Sequence, residues 1–139
     1  RPLFVDYVRQ VMPLIQERAK TLAEVAELTK FFFTSELSYE SDLLIVKKMD
    51  QELAISALKT SLERLEQLAV FDEKSLEAIL RPLAEELGLK TGQLFGTLRV
   101  AVTGRTVAPP LFQTMAVLGK ECCLKRMGEA IIRLRQMRK

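Results

Sequence analysis

The sequence has 139 residues, 48% hydrophobic and 28% charged, with a net charge of +3 and no histidine. That composition excludes a disordered chain, and no apolar run approaches the roughly 18 residues a membrane-spanning helix needs. The missing histidine removes the usual general base, the Ser-His and Cys-His nucleophile pairs and most metal sites.

Helix signals recur along the chain and strand signals are scarce. Residues 3–19 read as a helix broken or kinked at Pro13. Residues 21–33 follow, with Thr21 and Glu24 at capping-box spacing. The polar stretch 34–41 reads as a loop, and Asp42 opens a short apolar segment through Met49. Asp50 suits the N-cap of a helix with Ala54, Leu58, Leu62, Leu65 and Leu68 on its apolar side. Asp72 and Glu73 open the next, where Leu76, Ile79, Leu80, Leu83 and Leu87 keep a 3–4 spacing and Gly88 takes the C′ place. Thr91 is placed to cap a helix reaching Val102, closed by Gly104. Pro110 suits the first helical position of another. The last helix carries Leu124, Met127, Ile131 and Leu134 on one face and Arg126 and Arg133 on another.

These elements predict an all-α chain of seven to nine helices in two groups, residues 1–70 and 71–139, with short connections between packed neighbours. The opening Arg-Pro, with no initiator Met and no signal-peptide pattern, reads as part of a longer cytoplasmic protein. Cys122 and Cys123 point about 100° apart on a helix and form no metal motif, so both read as packing or incidental residues.

Charge is unevenly spread. Residues 50–89 hold four basic and nine acidic side chains, whereas residues 90–139 hold ten basic and two acidic, a net of +8. A basic third is the footprint of a one-sided polyanion site, and Lys120, Lys125, Arg126 and Arg133 are its candidate phosphate contacts, with Arg105 nearer the corner described next.

That corner is GRTVAPPLF, residues 104–112. Pro109 and Pro110 have fixed φ and no N–H, so the turn is stiff before any ligand arrives. Beyond it, the N–H groups of Leu111, Phe112 and Gln113 lie in a first helical turn without intrahelical acceptors. Donors, acceptors and apolar surface in one place suit an unstacked base. The same residues equally make a good helix connector, with Phe112 in the core.

The run GLKTGQLFGTLRVAVTGRTVAPPLFQTMAVLGKE, residues 88–121, resembles the C-terminal anticodon-binding region of bacterial glutamyl-tRNA synthetases, and FVDYVRQVMPLIQERAKTLAEVAELTKFFF and LLIVKKMDQELAISALKTSLERLE are similar to the helical segment before it. The resemblance implies a helical cage of two small subdomains that grips the anticodon loop of glutamate tRNA. It implies base contacts from Arg99, Ala108, Pro109, Pro110, Leu111 and Phe112, and sensing of the first anticodon base by Arg18, or Lys20 in its place. It further implies a cytoplasmic, monomeric ligase whose ATP and Mg chemistry sits in a separate catalytic domain of the same protein. This chain holds no cofactor and no catalytic residue of that family, since it lacks histidine and Lys47-Lys48-Met49-Asp50 lacks the trailing Ser-Lys of the family's Lys-Met-Ser-Lys-type loop. Ala108 stands where Ser or Thr is usual, Gln113 replaces a usual Glu, and Cys122-Cys123 follows Gly119-Lys120-Glu121 where an arginine is common. The alternative from chemistry alone is a helical scaffold domain for protein partners.

Overall fold

Asp50 accepts a hydrogen bond from Leu53 N–H at 2.7 Å, and Asp72 does the same from Ser75 N–H at 2.8 Å. These two caps start the first two long helices of the computed structural model, which describes residues 7, 9–11, 37, 39–106 and 110–137. In chain order come a 3₁₀ turn at Ser41–Leu44, then α1 (Gln51–Glu66), α2 (Glu73–Glu86), α3 (Thr91–Thr103), α4 (Leu111–Leu118) and α5 (Lys120–Gln136). No strand occurs among the described residues, so the all-α expectation holds. No described helix is long and apolar enough to cross a membrane.

The stops follow the expected chemistry. Gly88 lies in the left-handed region at φ 72°, donating to Glu85 O, while Leu89 N–H reaches back to Ala84 O at 2.8 Å. That pair of bonds is a Schellman motif, and Leu89 is buried beneath it. Gly104 closes α3 at φ 74° with its N–H on Val100 O. Two starts differ from expectation by one residue. Lys90, not Thr91, occupies the N-cap of α3, because Gln93 Oε1 reaches back to accept Lys90 N–H at 2.9 Å. Pro110 is the N-cap of α4 rather than its first helical residue, with extended-type ψ 133° and its carbonyl accepting from Thr114 N–H.

α5 is the central helix. It packs most extensively against α1 and also touches α3, α4 and the 3₁₀ turn. The leucine stripes expected of α1 and α2 meet there: Leu58, Leu65, Leu76, Leu80 and Leu83 are fully buried together with Leu94, Leu98, Met115, Met127 and Leu134. Each such side chain contributes up to about 1.5–3 kcal/mol. Leu44 joins the same cluster, and Thr97 Oγ1 donates to its carbonyl at 2.9 Å inside the core. The described part of residues 1–70, from Leu44 through α1, thus shares one core with α2–α5. The Gln51 side-chain amide adds a hydrogen bond to Leu134 O near the other end of α5.

Candidate nucleic-acid interface

α3 and α4 flank the proline corner, so what holds them decides its geometry. At the end of α3, Thr103 is buried; its hydroxyl donates to Arg99 O at 2.6 Å and accepts Arg105 N–H at 3.1 Å. Gly104 then turns the chain. A Cβ there would stand 3.2 Å from Tyr39 Cδ1, so the Tyr39 ring lies directly on this turn. Val107, Ala108 and Pro109 lie outside the described residues, as do Arg18 and Lys20.

The chain re-enters at Pro110. The first intrahelical bond of α4 is Thr114 N–H to Pro110 O at 2.9 Å. The N–H groups of Leu111, Phe112 and Gln113 precede that ladder. Among the described residues no side chain caps this end, in contrast to α1 and α2. The Leu111 side chain is only 5% exposed and belongs to the core, so what Leu111 can offer a ligand is main chain. Phe112 is half-buried and meets Phe95 of α3 edge to face, centroids 5.0 Å apart at 81°. The Arg81 guanidinium lies 5.5 Å from the Phe95 centroid. A short series of cation, ring and ring therefore runs from α2 across α3 to the corner. Phe112 thus packs against the core at the start of α4. Arg99, half-buried on α3, sits one turn before Thr103.

The candidate phosphate contacts divide. Lys125 is exposed on α5, and Arg105 is half-buried just past the Gly104 turn. Three others hydrogen-bond to carbonyls of the chain itself. Arg126 is 3% exposed, and its Nη1 donates to Val102 O at 2.6 Å. Arg133 stacks over the Tyr39 ring at 4.4 Å and donates to the carbonyls of Leu37 and Tyr39. Lys120 Nζ donates to Glu66 O and Leu68 O, both at 2.9 Å, closing the end of α1. A cation count cannot separate these from surface charges, since helix-end carbonyls and phosphates attract the same side chains.

Arg126 and Arg133 also line a small cleft with Leu37, Tyr39, Ala101 and Glu129, of about 10 Å³, room for one water. Burial pushes the Tyr39 phenol above its ordinary pKa, opposed by Arg133 and reinforced by Glu129. Burial also pushes the Tyr7 phenol up to about 12, reinforced by Cys122 and opposed by Arg126. Cys123 is buried, its thiol pushed far up by burial, and its Sγ–H points to Met115 O at 3.5 Å. Its role in packing is as expected from the sequence.

Sequence reasoning did not find the cluster at the other end of α3. Gln93 bridges Lys90 N–H and Lys47 O, at 2.9 and 3.0 Å. That bridge brings exposed Lys47, Lys48 and Lys90 to one corner, with Lys48 at φ 68°. Lys90 lies 42 positions beyond Lys48 in sequence, so no local charge run joins the three.

Comparison with known proteins supplies the context for this geometry. The family described as anticodon binding domain matches residues 2–131. A glutamate–tRNA ligase of Dehalococcoides mccartyi is 57% identical over 135 residues, covering 97% of this chain and 28% of that protein. One from Roseiflexus castenholzii is 54% identical over 125 residues, covering 90% of this chain and 25% of the relative. A crystal structure of a glutamate tRNA ligase from Elizabethkingia meningosepticum, in complex with its amino acid, superposes with a TM-score of 0.76 at 22% identity, over 91% of this chain and 25% of that one. That likeness establishes a shared fold. The chain spans about a quarter of the length of these relatives. A match over nearly its whole length means that the chain belongs to the anticodon binding domain family.

Proposed function

We propose that this chain is the anticodon-gripping part of a longer cytoplasmic glutamate–tRNA ligase. Its partners are the anticodon loop of glutamate tRNA and the catalytic portion of the same monomeric protein. The ATP and magnesium chemistry belongs to that other portion, and this part binds RNA without catalysing a step. The observation that carries the reading is the start of α4. Three N–H groups ahead of the helical ladder stand beside a half-buried phenylalanine, below a proline with no N–H of its own. Main-chain donors and acceptors at a rigid turn can read the edge of an unstacked base, and each stacked base contributes about 1–3 kcal/mol.

In this reading Ala108, Pro109, Pro110, Leu111 and Phe112 form the base-reading corner, Arg99 forks onto a base edge or its phosphate, and Arg18 senses the first anticodon base. Arg105 and Lys125 neutralise phosphates and give the affinity its salt dependence. The test is binding of the chain to an anticodon stem-loop of glutamate tRNA and to one with all three anticodon bases changed, at two salt concentrations. Tighter, salt-sensitive binding to the first is expected. Equal binding would reduce the site to an electrostatic cradle, and no binding to either would favour a protein scaffold.

A further inference from the structure

The two helices flanking the corner are both held by α5, through side chains one turn apart. Arg126 donates to Val102 O, in the last turn of α3, at 2.6 Å. Cys123, three residues earlier and on the same side of α5, points its thiol to Met115 O of α4 at 3.5 Å. Both side chains are buried, at 3% and 0% exposure. From these contacts we infer that Arg126 is a positioning residue for base discrimination: it fixes the end of α3, and hence where the 104–112 turn departs, without touching RNA.

The physical case rests on which interaction is strong and where it acts. A guanidinium hydrogen bond to a carbonyl is charge-assisted, and in a buried setting little water competes for it. Val102 is the residue before Thr103, whose hydroxyl shapes the turn by accepting Arg105 N–H. Gly104 follows, under the Tyr39 ring, and that ring is covered by Arg133, two turns along α5 from Arg126. Arg126 and Arg133 thus both bear on the departure point, one through α3 and one through Leu37 and Tyr39. The thiol contact on α4 is the weaker of the two α5 ties, because S–H is a poor donor. Small displacements of a binding surface cost recognition steeply, so a residue that sets the surface affects discrimination while staying out of contact.

The inference rests on the corner reading bases, and the experiment separates the two ideas. Arg126→Met and Arg126→Lys are compared with the unaltered chain for binding to the cognate stem-loop and to the one with changed bases, at two salt concentrations, with thermal melts alongside. The unaltered chain alone reports on the corner: if it does not discriminate, the reading of the site fails and this inference with it. If it does, Arg126→Met is expected to lower the cognate-to-changed ratio by about tenfold, the scale of one charge-assisted hydrogen bond. The slope of affinity against salt stays unchanged. Arg126→Lys keeps a cationic donor within reach of Val102 O and is expected to recover part of the ratio. A direct phosphate role predicts the opposite pattern, an equal loss for both loops and a shallower salt slope. That pattern, or a full ratio in either folded variant, overturns the inference. Should Arg126→Met fail to fold, the lysine variant decides: it must show a reduced ratio at an unchanged salt slope.

Discussion

The Lys120 ammonium donates to the carbonyls of Glu66 and Leu68 at 2.9 Å each, so the first residue of α5 closes the last turn of α1 across 54 positions of sequence. Helix-end carbonyls carry partial negative charge and have no intrahelical donor, which is why a cation settles there. Lys120→Met removes both bonds and leaves those carbonyls to water. The expected loss is about 1–2 kcal/mol, at the lower end for charged hydrogen bonds because the ammonium is partly exposed. Urea unfolding reads it directly. An unchanged midpoint together with a shallower salt dependence of RNA binding would return Lys120 to the phosphate contacts.

Gly88 and Gly104 provide a controlled comparison. Both lie in the left-handed region, at φ 72° and 74°. A Cβ on Gly88 would meet nothing within 4 Å, whereas one on Gly104 would stand 3.2 Å from Tyr39 Cδ1. Gly88→Ala should therefore show the backbone term alone, about 1–2 kcal/mol. Gly104→Ala adds displacement of a ring that Arg133 covers, and should lose more stability in the same denaturation assay. Equal losses would mean that the Tyr39 ring yields without cost.

Much of this architecture was legible in the chain. Asp50 and Asp72 cap as read, Gly88 and Gly104 end helices as read, and the leucine spacing of α1 and α2 meets in one core. Local chemistry decides those features, so a local pattern reveals them. The one-residue shift at Lys90 arose because the Gln93 side chain reached back to a backbone N–H, a bond that the residue type at the cap does not announce. The site was legible only in part. That α4 would begin at Pro110–Leu111 followed from proline geometry, but the Phe95–Phe112 contact joins residues 17 apart and the Arg81 contact reaches Phe95 from another helix. The cations were hardest. Arg126, Arg133 and Lys120 look like Lys125 in sequence, and only the packing of α5 against carbonyls from other segments tells them apart.

Acid should weaken the fold through two exposed carboxylates. The Ser75 N–H holds the Asp72 carboxyl below its usual range, and the Arg64 guanidinium does the same for Glu86, through a two-pronged pair at 3.0 and 3.2 Å. A depressed native pKa means that the unfolded chain binds protons more readily. The stabilisation is present above the unfolded carboxylate values, near 4, and is lost as pH falls through the lower native ones. Asp72→Asn keeps a capping oxygen but cannot titrate. Thermal melts at neutral pH and at about pH 3 should show a smaller fall in Tm for Asp72→Asn and for Glu86→Gln than for the unaltered chain. Parallel falls in all three would assign acid sensitivity to other groups.

Arg99 and Lys125 test the proposed division between reading and gripping. Arg99 is half-buried on α3, one turn before the residue that shapes the corner, while Lys125 is exposed on α5. A contact to a base edge contributes about 1–3 kcal/mol of discrimination, whereas a phosphate contact adds affinity without regard to sequence. Arg99→Ala should therefore reduce the preference for the cognate stem-loop more than it reduces binding to the changed one. Lys125→Ala should weaken both loops alike and lower the salt slope by about one phosphate's share. Titrations of both variants against both loops at two salt concentrations measure all four quantities. If Arg99→Ala weakened both loops equally and Lys125→Ala shifted the preference, the two roles would have to be exchanged, and α5 rather than the end of α3 would face the bases.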